Sequence, residues 1–232
     1  MDELLAAEHL AALAVIAMVI AILVFATRRW PGAWTRYASM VLAAVLVSAE
    51  LGWWIYLASV GASGAQLASA LPLQQCDAAI FISALALVLR TPTLIEVTYF
   101  WGLAGTIQAL LTPDLPQHFP SFPYFQYYVA HGGIVAAALF LVVGLGLWPR
   151  RDALVRVIVI TVAYVAFVGL VDATTNSDYM FLRAKPESAS VLDFFGPWPW
   201  YLVGASLVGL VLLFVLDLPF RLIRRSRPGL TR

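Results

Sequence analysis

Charge is what this chain lacks most. Only 12% of its 232 residues are Asp, Glu, Lys or Arg, against 62% hydrophobic residues. A soluble domain carries roughly a quarter charged residues, so a water-exposed globular surface is excluded. Cysteine is nearly absent: Cys76 stands alone, which excludes an internal disulfide and leaves the redox compartment unread. Three histidines without an HxxxH or HxxH spacing, and without a cysteine pair, give zinc, haem or iron no ligand set, so no metal and no cofactor is expected. No glycine-rich turn follows a strand, which removes the usual nucleotide cradle. No ladder of charged residues crosses the apolar segments, so a proton or ion relay is missing as well. Internal repeats, low-complexity stretches and linkers are also absent.

Long apolar runs are abundant. A spanning helix needs about 20 mostly apolar residues, and seven stretches qualify: 9–27, 37–60, 71–89, 93–111, 125–147, 153–171 and 199–220. Lipid-exposed backbone must satisfy its own hydrogen bonds, which leaves helices as the economical reading. The first stretch is too long for a signal peptide and is preceded by Asp2, Glu3 and Glu8 rather than basic residues. The expected fold is an all-α membrane protein, one domain over 1–232, formed by a bundle of seven transmembrane helices.

Arginine and lysine orient the bundle. One set of alternate loops, with the C-terminal tail, holds twelve of the fourteen: Arg28, Arg29, Arg36, Arg90, Arg150, Arg151, Arg156, Arg221, Arg224, Arg225, Arg227 and Arg232. The other set holds Arg183 and Lys185. By the positive-inside rule the N-terminus lies outside and the C-terminus is cytoplasmic. The basic tail RLIRRSRPGLTR suits anionic headgroups rather than nucleic acid. The location expected is an integral membrane protein of the bacterial cytoplasmic membrane.

In this orientation the third and fifth helices run inward from the outer side. Cys76 in LPLQQCDAAIF and His131 in YYVAHGGIVAAALF then sit roughly 8–10 Å below the outer boundary. Gln74, Gln75, Asp77, Gln108, Asp172 and Asn176 gather near the same level. Polar groups inside a bilayer usually face the bundle interior and often mark a site. A thiol and an imidazole form a common nucleophile and base pair. Taken singly, a cysteine in such a helix is a small hydrophobe, and a histidine bonds a neighbouring helix. Glu50, near mid-membrane, either bonds a backbone carbonyl while protonated or orients the histidine. Gly132 and Gly133 permit close helix approach or leave room beside the imidazole. Glu96 and Arg90 read as an inner-end ion pair. Trp198, Trp200 and Tyr201 read as an interfacial anchor, and Asp114 and His118 as turn formers in a proline-rich outer loop.

Four blocks carry a resemblance: LPLQQCD, TYFWGLAGTIQALLTPDL, FQYYVAHGGIVAAALFLVVGLGLWPR and NSDYMFLRAKPESASVLDFFGPWPWYL. Together, over about residues 70–201, they resemble the bacterial YwaF-type integral membrane proteins. Animal members of that superfamily resemble acyltransferases that move a fatty acyl chain onto a lysophospholipid with one cysteine and one histidine. The resemblance implies that Cys76, in the LPL-x-x-C motif, and His131, in the x-HGG motif, are that pair. Its partners would be phospholipids or lysophospholipids. Gln74 departs from the pattern, which often has histidine there. The expected activity is acyl transfer at the outer leaflet, with Gln75, Gln108 or Asn176 donating to the oxyanion. The alternative is a non-enzymatic membrane protein that binds a ligand or lipid in a polar outer cavity.

Overall fold

The computed structural model describes residues 6–113, 115, 117–186 and 191–226, and these are helical with no strand. Eight helices follow in order: α1 (Ala7–Arg29), α2 (Trp34–Ser59), α3 (Gly64–Ser69), α4 (Gln75–Leu89), α5 (Pro92–Leu111), α6 (Phe122–Gly144), α7 (Ala153–Thr175) and α8 (Trp200–Ser226). Six of them, all but α3 and α4, are long and apolar enough to cross a membrane.

The third expected span is shorter than its apolar run suggested. Pro72 disfavours helix at Leu71, and the chain stays extended at Gln74 (φ −63°, ψ 147°), so α4 has only 15 residues. At 1.5 Å per residue it is about 22 Å long, short of the roughly 30 Å hydrocarbon core. The bundle therefore has six full-length helices and one short apolar helix.

The helix ends follow local chemistry. Trp30 precedes Pro31, and α1 stops there. Arg90 closes α4 in the left-handed conformation (φ 53°), and Pro92 opens α5 in its first turn, where its missing N–H is harmless. Ser121 caps α6 by accepting the Tyr124 N–H at 3.4 Å. Asn176 ends α7 at φ 57°, a conformation asparagine tolerates.

Helices α5 and α6 are central. In their apolar windows 61% of residues are buried, against 6% in α1 and 17% in α2, α7 and α8. The core joins Leu46 of α2, Ile80 and Leu87 of α4, Phe100 of α5, and Ile134, Phe140 and Leu141 of α6. The glycine pair serves helix approach rather than room at the imidazole. A Cβ on Gly132 would meet Ile16 of α1, and one on Gly133 would meet Leu46 of α2, each at 2.8 Å.

The expected Glu96–Arg90 pair does not form. Buried Glu96 takes Arg150 Nε at 2.7 Å and Arg156 Nη1 at 2.6 Å, tying α5 to α7 and the loop before it. Those hydrogen bonds push the Arg150 guanidinium up from its ordinary value, so it stays charged. The left-handed cap turns Arg90 toward α2, where its Nη2 donates to Ser39 Oγ at 3.1 Å. Trp198 and Trp200 are exposed, as an anchor requires, but Tyr201 is buried and donates to the Phe181 carbonyl at 2.6 Å.

Candidate functional site

The site is built where three helices meet at the end of the bundle at which α4 begins. The first turn of α4 supplies Gln75, Cys76 and Asp77, each partly accessible. Asp77 stands three residues past the extended Gln74, in the first turn, where an acidic side chain suits the helix N-terminus. Gln74 itself is diverted to a loop: its Oε1 accepts the Met180 N–H at 2.8 Å. The Leu73 carbonyl accepts from Tyr164 of α7 at 2.9 Å. These contacts pin the entry to α4 and so fix where Cys76 starts its helix.

Facing Cys76 is a π-helical segment of α5, Gly102–Thr106. Such bulges add a residue to a turn and are frequent at functional sites. Here the bulge brings buried Thr106 toward α4, and its Oγ1 lies 4.0 Å from Cys76 Sγ. Gly105 leaves space that the Gln75 amide fills, with Oε1 at 3.6 Å from the place of a Cβ. The Gln75 amide hydrogen-bonds to no other described residue. The sequence signal for this surface was the GLAGT run, whose two glycines weaken a regular helix; Thr106 was not singled out.

His131 comes from α6 and is held at both faces of its geometry. Its ring stacks on Tyr127 one turn earlier, with centroids 4.1 Å apart. Its Nδ1 lies 2.8 Å from the Tyr127 carbonyl. A carbonyl only accepts, so Nδ1 carries the proton and Nε2 keeps a lone pair in the neutral ring. Tyr127 is fixed in turn, donating to the Ala109 carbonyl of α5 at 2.7 Å. The thiol and the imidazole are not hydrogen-bonded to each other: Thr106 is the partner of one, and Tyr127 of the other.

Glu50 of α2 is buried, one turn before Trp54. It lies close enough to Asp77 for the two carboxyls to interact across the α2–α4 contact. Among the described residues Glu50 hydrogen-bonds neither a backbone carbonyl nor His131, the two roles the sequence suggested.

Three residues expected near the site do other work. Gln108 is exposed and its Nε2 donates to the Ala104 carbonyl of its own helix at 2.9 Å. Asp172 is buried at the end of α7, where Oδ1 accepts the Tyr179 N–H at 2.9 Å and organises the following loop. Asn176 is exposed and accepts from Arg183 at 2.8 Å. Linear depth placed all three at one level; side-chain direction sends them elsewhere. His118 pairs with Glu8 at 3.1 Å, and Asp114 lies outside the described residues. Among the described residues no group of three His, Cys, Asp or Glu side chains forms a metal site.

Comparison with curated proteins and with solved structures gives no match. The model of the TMEM164 family, a transmembrane protein family, matches residues 4–217. That span includes every element of the bundle through most of α8, and with it all of the residues around Cys76 and His131. The chain belongs to the TMEM164 family.

Proposed function

We propose that the protein transfers an acyl chain between a phospholipid and a lysophospholipid, with Cys76 as nucleophile and His131 as its base. The observation that carries this reading is the tautomer of His131. With Nδ1–H committed to the Tyr127 carbonyl, Nε2 is the free lone pair, the arrangement a general base needs. Thr106 Oγ1 lies 4.0 Å from the thiol, and Gln75 and Asp77 flank Cys76 in the first turn of α4.

In this mechanism His131 Nε2 takes the thiol proton, and the thiolate attacks the ester carbonyl carbon. The carbon–oxygen bond of the ester breaks, the leaving alkoxide takes the proton from His131, and the acyl group stays on sulfur as a thioester. The hydroxyl of an acceptor lysolipid then attacks the thioester after giving its proton to His131, and the thiolate is released. Water in place of that hydroxyl gives hydrolysis. Of the three oxyanion donors suggested by sequence, Gln75 fits best: its amide is uncommitted and adjoins Cys76, whereas Gln108 already donates to its own helix and Asn176 is turned to Arg183 in the following loop. One such donor is typically worth about 3 kcal/mol. Cys76 and His131 are not hydrogen-bonded to each other, so the reaction requires the two side chains to come within hydrogen-bond reach.

Kinship with YwaF-type and animal acyltransferases belongs to this proposal, as does the bacterial cytoplasmic membrane with the N-terminus outside. The twelve-to-two asymmetry of arginine and lysine supports the orientation. The test is acyl exchange by purified protein in phosphatidylcholine or phosphatidylethanolamine vesicles containing a fluorescent lysophospholipid. Cys76→Ala and His131→Ala should each abolish exchange, and the double variant should be no worse, because residues acting as a unit fail together. Exchange that survives Cys76→Ala unchanged would refute the chemistry and favour a binding protein.

A further inference from the structure

A second feature lies on another face of α6. Helices α1 and α2 both pack on α6, but between them a groove of about 700 Å³ stays open. That is within the roughly 300–1,000 Å³ of ligand pockets. Its walls are Val15, Ile16 and Val19 of α1 and Val45 of α2, and Gly132 and Gly133 form the floor. Successive residues of a helix are about 100° apart, so this floor faces away from His131. Neither Cys76 nor His131 lines the groove, so it is separate from that site.

The groove has one polar end. Glu8 lines it at the start of α1, beside Phe119, Tyr124 and Phe125. The three rings pack edge to face, with centroids 5.6–5.7 Å apart. Phe119 and Phe125 are 55% and 48% exposed, so much of their surface is open. Tyr124 donates to the Glu8 carbonyl at 2.7 Å, fixing the helix start against the rings. His118 Nδ1 contacts Glu8 Oε1 at 3.1 Å, at the outer rim of this end. No lysine or arginine is among the groove-lining residues. A carboxylate among open aromatic rings is the chemistry that binds an ammonium group. From Glu8 to Ile20 the apolar wall descends about 18 Å, close to the roughly 15 Å hydrocarbon depth of one leaflet.

We propose that this groove seats one chain of a bilayer lipid with an ammonium head group, held at its head by Glu8 and the Phe119–Tyr124–Phe125 rings. The phosphate of such a lipid stays in water, as no basic side chain meets it. An anionic lipid lacking the ammonium has nothing to hold and meets a carboxylate instead.

The test is native mass spectrometry of the full-length protein released from maltoside micelles with equal amounts of dioleoyl phosphatidylcholine, phosphatidylethanolamine and phosphatidylglycerol. One phosphatidylcholine or phosphatidylethanolamine should be retained at least fivefold over phosphatidylglycerol. A preference for choline assigns the larger part to the rings, and one for ethanolamine to the carboxylate. Glu8→Gln should reduce the preference to near unity, and Ala11→Trp, which fills the groove, should cut retention at least fivefold. Cys76→Ala should change neither. Should Ala11→Trp fail to fold, a diazirine-tailed phosphatidylcholine serves in its place, with crosslinks expected within 11–20 and 129–136. Equal retention of phosphatidylglycerol, indifference to Glu8→Gln, or crosslinks spread evenly over α7 and α8 would each overturn the proposal. So would a lipid-free dimer whose interface is this groove, since a second copy would then be its occupant.

Discussion

The adjacent glycines of α6 should respond differently to the same added methyl group. At both positions a Cβ would come within 2.8 Å of a neighbouring side chain. Gly→Ala inside a helix gains about 1 kcal/mol from backbone propensity, while overpacking a closed site costs about 1–3 kcal/mol. The neighbours decide the sign. Beyond Gly132 lies Ile16, half-buried on the groove wall; its Cδ1, Cγ1 and Cγ2 would lie 2.8, 2.9 and 3.3 Å from the added methyl, so the whole side chain must turn about χ1, for which the groove leaves space. Beyond Gly133 lies Leu46, fully buried in the core with no such space. Gly132→Ala should therefore stay within about 1 kcal/mol of neutral, the propensity gain offsetting the cost of turning Ile16, and Gly133→Ala should be destabilising by about 1–2 kcal/mol. Adding Leu46→Val to Gly133→Ala should recover part of that loss, a non-additive result expected of side chains in contact. Thermal unfolding in detergent, followed by circular dichroism and size exclusion, measures all three. If Gly132→Ala proves the more damaging, or Leu46→Val merely adds to the loss, the packing argument fails.

Glu96→Gln should lower stability by about 1–2 kcal/mol, discounted because both guanidiniums are partly wet, whereas Arg90→Ala should leave the Glu96 contacts intact; unfolding of the two variants and their double tests this. Tyr201→Phe should cost about 1 kcal/mol through the orphaned Phe181 carbonyl and leave the exposed Trp198 and Trp200 fluorescence in place. Cys76→Ser should be nearly inactive in acyl exchange, since a hydroxyl ionises far less readily than a thiol; activity near that of the unaltered protein would exclude thiolate chemistry. A C-terminal reporter should be active only in the cytoplasm, and activity on the opposite side would reverse the proposed orientation.

The class of fold was legible in the sequence because lipid imposes one solution on long apolar runs. Helix boundaries were legible where proline or a cap residue acts locally, as at Pro31 and Pro92. The short α4 was less so, since the apolar run from Leu71 does not reveal that Pro72 and Gln74 delay the helix. Azimuth around a helix was not readable. Gln108 and Asn176, expected at the level of Cys76, turn to their own backbone or to Arg183. The partner of Cys76 was hidden because the π segment that presents Thr106 has no fixed sequence signature. Glu96 was rightly read as paired, but the left-handed turn at Arg90 changes which arginine meets it.

The length of α4 also bears on the membrane around the protein. A bilayer next to a helix about 8 Å too short must thin, or let its surface dip, at the end where the helix is missing. The missing length lies before Gln75, so the depression centres on the turn that holds Cys76. Headgroups and their ester bonds would sink toward the thiol there, instead of the thiol having to rise to them. Vesicles of thicker bilayers should make that descent costlier, so exchange should slow as lipid chains lengthen even when the reacting ester is unchanged.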